Sequence, residues 1–302
     1  MIHGILNIRK EKGYTSHDVV AKLRGITGQK KIGHTGTLDP EAIGVLPVCL
    51  GKATKLCELL TDKDKTYETV LLLGKTTDTQ DIYGKVLAEK DTESLCEEAV
   101  KEAVFSFVGE YAQIPPMYSA LKVNGKKLYE LARSGQVVER KARQVKIYDI
   151  RLLEMSLPRV RMSVTCSKGT YIRTLCQDIG EKLGCGGCME ELLRTRAGRF
   201  ALEDSKTLEE IRSAFKENGL KELLVPVDDM FSETPKVFVE GKWEVLAKNG
   251  NVLPKEAFSE CMTGSDSRRV RIYDSAGQFI ALYRWKKETG ECHLEKMFFP
   301  EN

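Results

Sequence analysis

The chain has 302 residues, of which 41% are hydrophobic and 30% are charged, and its formal net charge is +3. This length exceeds that of most single domains, so we expect one large domain followed by a smaller one. No apolar run is long enough to span a membrane, and the weak positive surplus permits a polyanionic partner without requiring one.

Nine cysteines are scattered along the chain, several of them within apolar runs. An odd number without a framework of regular spacing favours reduced thiols in a cytosolic protein. Cys185 and Cys188 are the one closely spaced pair, which is half of a tetrahedral zinc site. No second pair of Cys or His supplies the remaining ligands, so we expect no metal. The N-terminus has no charged leader before a long apolar run, and we expect a cytoplasmic location.

The first elements are a buried strand over residues 2–8 and a helix that follows the charged run at 9–12. Gly13 turns the chain between them. We expect Ser16 to be the N-cap residue of the helix and Gly25 to end it. Val20 and Leu23 lie on one face of this helix and are candidates for the core.

Residues 33–51 follow, and they contain four glycines and two prolines in an otherwise apolar and β-branched segment. This pattern predicts an ordered loop that leads into a short buried strand. Asp39 stands between Leu38 and Pro40, and the proline favours an extended backbone before it. One interpretation is an Asx-turn that caps local backbone donors. The other is a reactive carboxylate.

The run Gly-His-Thr-Gly-Thr-Leu-Asp-Pro over residues 33–40 resembles the catalytic loop of the bacterial TruB family of tRNA pseudouridine synthases. The resemblance implies that Asp39 is the nucleophile and that His34 fills the gap left by a flipped base. It also implies a reaction without cofactors, in which the T-loop uridine at tRNA position 55 becomes pseudouridine. Family members usually have Lys-Pro-X-Gly before this loop, whereas this chain has Lys10-Glu11-Lys12-Gly13 and lacks the proline.

The next elements are a helix over residues 53–60, a strand over 66–74, a polar loop over 76–84, a strand over 85–87 and a packing helix between Ser94 and Gly109. Tyr67 lies at the start of the first strand. From its position alone it is a packing residue whose hydroxyl reaches water. The resemblance places the base-stacking tyrosine of the family at Tyr67, where it also becomes a candidate base.

Residues 113–143 are locally basic. Between Lys122 and Arg143 there are seven Lys or Arg residues and two Glu. Basic side chains mixed with Tyr118 and Tyr129 suit phosphate attraction and base stacking, although a charged run is also typical of an ordinary solvated face. By resemblance this segment is a thumb-like insertion that grips the T-arm, with backbone contacts from three lysines, Lys122, Lys126 and Lys127.

A strand over residues 160–166 and a helix over 172–183 place Tyr171 and Arg173 at the start of that helix. Without further information Arg173 would be a surface residue paired with Asp178 or Glu181. The run Lys-Gly-Thr-Tyr-Ile-Arg-Thr-Leu over 168–175 is similar to a second TruB signature. It implies that Arg173 pairs with the catalytic carboxylate and that Tyr171 lines the uridine pocket.

A third match, Leu-Leu-Arg-Thr-Arg-Ala-Gly over residues 192–198, implies that Leu192 is the apolar residue of that pocket; on its own it is a core leucine of a helix. A further helix covers 208–215, and a β-hairpin runs from Arg268 to Trp285. We expect an α+β fold: a catalytic domain over 1–231 with a mixed, largely antiparallel sheet and flanking helices, and a small β-rich, PUA-like domain over 232–302.

A flipped uridine needs an aromatic surface, and a carboxylate kept ionised out of water needs a cation. Arg173 suits that second role because a guanidinium stays protonated and binds a carboxylate with two bonds. The residues leave open whether the nucleophile attacks the sugar or the base. We expect a monomer that acts on tRNA without an obligatory protein partner. Two alternatives are a guide-RNA-dependent synthase of the dyskerin type and a non-catalytic RNA-binding protein.

Overall fold

The computed structural model describes residues 1–123, 125–258 and 269–298, so Cys261 and Arg268 lie outside the described residues. In chain order the elements are β1 (Gly4–Lys10), α1 (Ser16–Thr27), β2 (Ile32–His34), β3 (Ile43–Leu50), α2 (Cys57–Thr61), β4 (Lys65–Leu73), β5 (Lys75–Thr77), β6 (Val86–Glu89), α3 (Glu97–Phe105), β7 (Gly109–Gln113), β8 (Lys122–Val123), β9 (Lys126–Lys127), α4 (Leu128–Arg133), β10 (Arg143–Ser156), β11 (Arg159–Cys166), α5 (Ile172–Lys182), β12 (Gly187–Ala197), β13 (Phe200–Ala201), α6 (Leu208–Lys216), β14 (Leu224–Val225), β15 (Lys236–Phe238), α7 (Gly241–Lys248), β16 (Leu253–Pro254), β17 (Arg269–Tyr273), β18 (Phe279–Lys286) and β19 (Glu291–Met297).

A ten-stranded sheet forms the larger part of the molecule, in the order β14-β1-β3-β12-β4-β11-β10-β7, with β2 on β3 and β13 on β12. Its pairings are antiparallel except for the parallel pair of β12 and β3. That pair brings Arg194 beside Gly44, where φ is +112° and a Cβ would lie 2.2 Å from the Arg194 carbonyl oxygen. Only glycine fits this crossing. The predicted α+β class with a largely antiparallel sheet is confirmed.

Helices cover the sheet through two apolar cores. The first core joins α3 and α5 to the central strands, with Val104 and Ile179 packed among residues such as Leu71. The second joins α1 and α6 to β1 and β3, through residues that include Leu23 and Ile211. Each helix contributes apolar residues at helical spacing, so one face is buried and the other remains in water.

Helix α1 is capped differently from the prediction. The N-cap residue is Thr15 and not Ser16, since the Thr15 hydroxyl accepts a hydrogen bond from the Asp18 N–H and the Asp18 carboxylate accepts one from the Thr15 N–H at 2.8 Å. Ser16 is buried, and its hydroxyl accepts a hydrogen bond from the Leu38 N–H at 2.9 Å. The capping box therefore starts the helix, and the neighbouring serine holds the loop that contains Asp39.

Two further helix boundaries differ from the predictions. Helix α1 continues past Gly25 and ends at Gly28, which adopts the left-handed conformation with φ +66°. The helix expected over 53–60 is divided into a 3-10 helix at Gly51–Leu56 and the short α2. Gly25 does not adopt a positive φ, so the helix continues through it. Gly28 adopts the left-handed conformation and ends the helix.

The structure places Leu192 on a strand, so its predicted position on a helix is wrong. It lies on β12, opposite Thr69 of β4. Strand β12 is sandwiched between β4 and β3 and pairs with both. The short run of apolar and charged residues around Leu192 is compatible with a helix or a strand. Pairing with two neighbouring strands decides in favour of the strand.

The segment between β7 and β10 leaves the sheet and returns to it at one point. Gln113 and Arg143 are direct cross-strand partners at its two ends. Between them lie the two-stranded ribbon of β8 and β9 and the short helix α4. The basic stretch is therefore an insertion between two adjacent strands of the sheet.

The C-terminal part forms a five-stranded sheet in the order β15-β17-β18-β19-β16, with its own apolar core. It also contains α7, a helix that the sequence analysis did not predict. A further apolar cluster joins this sheet to the large one, with Phe231 and Phe298 packed among Ile5, Val45 and Leu282. None of the helices in the described ranges is long and apolar enough to cross a membrane.

Candidate active site

Asp39 lies in the loop of residues 35–42, which joins β2 to β3. The neighbouring Leu38 and Ala42 are only 3% and 2% exposed and belong to the core beneath the sheet. The Asp39 side chain is 37% exposed. Buried residues therefore anchor the loop, and the carboxylate faces an open space.

The backbone of this loop is held by an unusual number of donors. Every carbonyl from residue 36 to residue 40 accepts a hydrogen bond: Gly36 and Thr37 from Arg194, Leu38 from Ser16, Asp39 from the Ala42 N–H, and Pro40 from Lys10 and the Gly13 N–H. The Asp39–Ala42 bond is the short-range contact expected of a turn. The other donors come from residues 10–16 and from Arg194, so tertiary contacts set the position of Asp39.

Lys10 is the most deeply buried of these donors. Its side chain is fully buried, and the ammonium donates to the carbonyls of Glu11, Tyr14 and Pro40 at 3.0, 2.7 and 3.0 Å. Burial lowers the pKa of Lys10 to about 8, although the negative charge of Asp39 opposes this shift. A protonated lysine has three N–H donors for these three carbonyls.

The structure brings Arg173 to Asp39. Arg173 lies in the first turn of α5, and its Nε and Nη2 contact the two oxygens of Asp39 at 2.9 and 3.2 Å. The Arg173 side chain is 6% exposed. A paired, bidentate contact of this kind keeps a carboxylate ionised when it leaves water. The alternative pairing of Arg173 with Asp178 or Glu181 does not occur.

Asp81 also contacts Arg173, and the sequence analysis missed it. Its Oδ2 lies 3.7 Å from Arg173 Nη1, which also donates to the Thr79 carbonyl at 2.9 Å. Nη2 donates to the Tyr118 carbonyl at 2.9 Å. Burial raises the pKa of Asp81, and its bond from Thr79 and the charge of Arg173 oppose that shift. The polar loop at 76–84 contained the signal, an aspartate among turn residues, but spacing did not connect it to Arg173.

A cavity of about 170 Å³ opens beside Asp39. Its lining residues are Asp39, Pro40, Glu41, Ala42, Thr79, Asp81, Tyr83, Met189, Glu190 and Leu192. Each carboxylate in this lining has a cationic partner. Arg173 contacts Asp39 and Asp81, Lys12 lies 3.6 Å from Glu41, and Arg159 binds Glu190 through two bonds of 2.8 and 3.0 Å. The acidic lining is thus largely neutralised.

Tyr67 lies on β4 with its backbone opposite Arg194 of β12. It is 8% exposed, and burial raises the pKa of its hydroxyl while the positive charge of Arg194 opposes that shift. Arg194 is 1% exposed, and its Nε donates to the Val45 carbonyl at 2.7 Å. Arg194 was not predicted as a site residue, because its burial in a strand paired on both sides is visible only in the structure.

His34 and Tyr171 are two further predicted site residues, and neither lines the cavity. His34 lies at the end of β2, edge-on to the His17 ring at 5.3 Å, and burial lowers its pKa to about 4. It is therefore uncharged at neutral pH. Tyr171 precedes α5, and its backbone exchanges two hydrogen bonds with the Gln113 amide at 2.8 and 3.0 Å. Burial raises the pKa of the Tyr171 hydroxyl.

The three predicted RNA-contacting lysines lie apart from the cavity. Lys122 and Lys127 are cross-strand partners on the ribbon of β8 and β9, and Lys126 faces Val123. The Lys127 ammonium donates to the Tyr129 hydroxyl at 3.2 Å. These cations therefore share one small ribbon, and none of them lines the cavity described above.

Within the described ranges, no group of three or more His, Cys, Asp or Glu side chains is arranged to hold a metal ion. Cys185 and Cys188 are both buried, free thiols.

Comparisons with known proteins cover nearly the whole chain. Residues 24–172 match the TruB family pseudouridylate synthase (N terminal domain), and residues 173–232 match the tRNA pseudouridylate synthase B C-terminal domain. The chain is 50% identical to tRNA pseudouridine synthase B of Lachnoclostridium phytofermentans, with 98% of this chain and 100% of that protein covered. It is 46% identical to tRNA pseudouridine synthase B of Alkaliphilus oremlandii, with 96% and 92% covered.

Two solved structures have a similar fold over nearly the whole chain. One is a Cbf5-Nop10-Gar1 complex, with a TM-score of 0.72 and 29% identity over 98% of this chain and 85% of the other. Another is an H/ACA RNP bound to a substrate RNA containing 2'-deoxyuridine, with a TM-score of 0.72, 27% identity and the same coverage. From both family matches and these full-length identities, the chain belongs to the TruB family of tRNA pseudouridine synthases and is an isomerase.

Proposed function

We propose that this enzyme converts the T-loop uridine at tRNA position 55 to pseudouridine, with Asp39 as the nucleophile. The observation that carries the proposal is the contact of both Asp39 oxygens with Arg173 beside an open cavity. The guanidinium is hidden and the carboxylate is reachable. This is the arrangement that a carboxylate needs if it is to attack a substrate while remaining ionised.

All bonds that break and form in this reaction belong to one nucleoside. The bond between the sugar carbon and the ring nitrogen breaks, a bond from the same sugar carbon to C5 of the base forms, and the proton lost from C5 is matched by one gained at the ring nitrogen. No electrons are exchanged with a second reactant. The chemistry therefore asks the protein for a nucleophile, a cation beside it and a surface that holds the detached base, and it agrees with the expectation of no cofactor.

Because Asp39 lies beside a cavity, the target base has to be extruded from the RNA before it can react. A uridine stacked in a T-loop must leave its stack to reach Asp39, at a cost of a few kcal/mol. We assign Tyr67 to stacking on that base and Leu192 to its apolar contact, since base–aromatic stacking returns about 1–3 kcal/mol. The raised pKa of Tyr67 supports the ring as the contact surface and opposes a phenolate base. We assign uncharged His34 to the gap in the RNA and Tyr171 to the pocket wall.

The RNA partner in this proposal is the T-arm of tRNA in the cytoplasm. Lys122, Lys126 and Lys127 supply three cations on one ribbon that projects from adjacent strands, a suitable surface for phosphates. The ribbon is connected to the site because the Tyr118 carbonyl, in the same segment, accepts a hydrogen bond from Arg173. We propose that the enzyme acts as a monomer without a protein partner.

The guide-dependent alternative has one observation in its favour, the fold shared with the Cbf5 complexes. The relatives with 50% and 46% identity are named tRNA pseudouridine synthase B, and they favour direct action on tRNA. Activity of the purified chain on a free tRNA transcript distinguishes the two, because a guide-dependent enzyme is inactive under that condition. The same assay distinguishes both from a non-catalytic RNA-binding protein.

The test is incubation of unmodified tRNA with purified wild-type protein and with Asp39→Asn, followed by carbodiimide mapping of pseudouridine. We expect conversion at position 55 by the wild type and none by the variant, with RNA affinity retained. Asp62→Asn is the matched control, since Asp62 forms an exposed ion pair with Lys168. Normal turnover by Asp39→Asn would exclude this residue as the nucleophile.

A further inference from the structure

Tyr83 is an exposed aromatic residue at the mouth of the catalytic cavity. Its surface is 56% exposed, yet it lines the same cavity as Asp39. Within the part of the chain that the structure describes, it is the one aromatic side chain in that lining. Neither its position in the polar loop at 76–84 nor the family signatures assigned it a role.

The backbone that carries Tyr83 is rigid. The Tyr83 N–H donates to Asp81 Oδ1 at 3.1 Å, and the Ile82 N–H donates to the Met189 carbonyl at 2.9 Å. The turn closes at Gly84, where a Cβ would lie 2.2 Å from Thr79 Oγ1. These contacts hold the backbone at Tyr83, so little backbone order has to be gained when a partner binds.

Lys12 fixes the direction of the ring. Its ammonium donates to the Tyr83 hydroxyl at 2.8 Å and lies 5.2 Å from the ring centroid, so it sits beyond the hydroxyl end and not over the ring centre. Lys12 also lies 3.6 Å from Glu41, which follows the Asp39–Pro40 pair. Three segments that surround the cavity therefore meet at Lys12, and this contact leaves the faces of the ring free.

The same turn is connected to the catalytic ion pair. Thr79 and Asp81, a few residues before Tyr83, both contact Arg173. A group that settles on Tyr83 therefore rests on the same short stretch of backbone that holds the partner of Asp39.

Base extrusion creates a need for such a surface. When one nucleotide leaves its stack, the neighbouring base loses a stacking face at the same moment. Tyr67 is buried within the sheet and serves the extruded base alone. Tyr83 lies at the mouth, where the nucleotide next to the target must pass, and an aromatic ring stacks on any base.

We propose that Tyr83 is a further substrate-contacting residue, whose ring stacks on the base adjacent to the extruded uridine, and that Lys12 positions it. This inference rests on the proposed function. It concerns the recognition of RNA beside the target and not the chemical step. The contact therefore contributes to KM for RNA and leaves kcat nearly unchanged.

The first test compares Tyr83→Leu, Tyr83→Phe and Tyr83→Trp on a T-arm stem-loop transcript. We expect Tyr83→Leu to raise KM about 5- to 100-fold, as loss of one base–aromatic stack does, with kcat within about twofold of the wild type. Tyr83→Trp keeps an aromatic ring and should keep KM within about threefold. Tyr83→Phe and Lys12→Met both remove the hydrogen bond of Lys12 to the Tyr83 hydroxyl, so each should raise KM about two- to fivefold, the size of an exposed polar contact. Phe105→Ala is the matched control, because Phe105 is 45% exposed on α3 and does not line the cavity.

The second test observes the stack itself. Stem-loop RNAs with 2-aminopurine on either side of the target uridine are bound to Asp39→Asn, which prevents turnover, with and without Tyr83→Leu. We expect quenched fluorescence at one flanking position and recovery of that fluorescence in the double variant. Unchanged KM in Tyr83→Leu together with unchanged quenching at both positions would overturn this inference alone, while wild-type activity would still uphold the proposed function. An inactive wild type would overturn both.

Discussion

Two buried lysines illustrate how the same residue type serves different purposes. Burial lowers the pKa of Lys10 and of Lys65 to about 8 in each case. Lys10 donates to the Pro40 carbonyl next to Asp39, whereas Lys65 donates to the carbonyls of Thr61 and Lys63. A lowered lysine pKa means that the proton is lost earlier as the pH rises. Above about 8 a neutral Lys10 has two N–H donors for three carbonyls.

We therefore predict that kcat/KM declines as the pH rises through about 8, because the loop that holds Asp39 loses a donor. Lys10→Met should lower kcat/KM at pH 7 and abolish this alkaline decline. Lys65→Met should retain it, which makes it the matched control. The measurement is a profile of kcat/KM from pH 6 to 9.5. An unaltered decline in Lys10→Met would assign it to another group.

Arg173 and Asp39 allow a second prediction at the scale of single residues. A lysine at position 173 keeps the charge but cannot contact both Asp39 oxygens while also donating to the Thr79 and Tyr118 carbonyls. Arg173→Lys should therefore lower kcat by about 100-fold or more, the order expected when one preorganised electrostatic contact is lost.

The control for that variant is Arg161→Lys, since Arg161 forms a partly exposed ion pair with Glu68 on the same sheet. Its kcat should stay within about twofold of the wild type. Single-turnover rates with excess enzyme measure the chemical step, and filter binding measures RNA affinity, which should change only a few-fold. A wild-type rate for Arg173→Lys would show that the bidentate contact is dispensable.

At the scale of secondary structure, the start of α1 combines two roles in adjacent residues. Thr15 caps the helix, and Ser16 binds the backbone of Leu38 in the loop that carries Asp39. Removing a cap affects the helix, whereas removing the Ser16 hydroxyl leaves a buried N–H beside Asp39 without its acceptor.

We predict that Thr15→Ala lowers the free energy of unfolding by about 1 kcal/mol and leaves kcat unchanged. Ser16→Ala should lower the free energy of unfolding by about 1–3 kcal/mol and also lower kcat, because the loop carrying Asp39 loosens. Urea titration and steady-state kinetics on both variants provide the measurement. Equal kcat values for the two variants would contradict the separation of roles.

At the scale of the whole molecule, the two sheets share an apolar contact. Phe231, 6% exposed, packs beside the Phe279 and Phe298 rings, whose centroids lie 6.4 and 6.1 Å from its own. The cluster around it includes Ile5 and Val45 of the large sheet. Separation of the sheets would expose these side chains to water, so we expect the molecule to unfold as one cooperative unit.

Phe231→Ala should lower the free energy of unfolding by about 3–5 kcal/mol. Phe238→Ala, at a position that is 54% exposed in the same region, should change it by less than about 0.5 kcal/mol. Both tryptophans, Trp243 and Trp285, lie in the C-terminal part, so fluorescence reports that part and circular dichroism reports the whole chain. Wild-type transitions that fail to coincide would refute a single cooperative unit.

Much of this organisation is local in origin and could be predicted from the sequence. Apolar spacing predicted strands β4 and β11 and helices α3, α5 and α6. An element that buries one face needs apolar residues at a regular spacing along the chain. Three signature blocks indicated the TruB family, and the family matches confirmed it. The roles of Asp39, Tyr67, Tyr171, Arg173 and Leu192 stay predictions that the experiments above address.

The tertiary structure alone decided which groups surround Asp39. Lys10, Asp81 and Arg194 approach its loop or its partner from distant parts of the chain, and no local period links them. Leu192 became a strand residue for the same reason, since pairing with β3 and β4 outweighed its local preference. Sequence by itself determined the family and the period of several elements, and it predicted the candidate site residues. Long-range contacts determined the donors around the loop that carries Asp39 and the position of Tyr83, because hydrogen bonds and burial depend on neighbours in space.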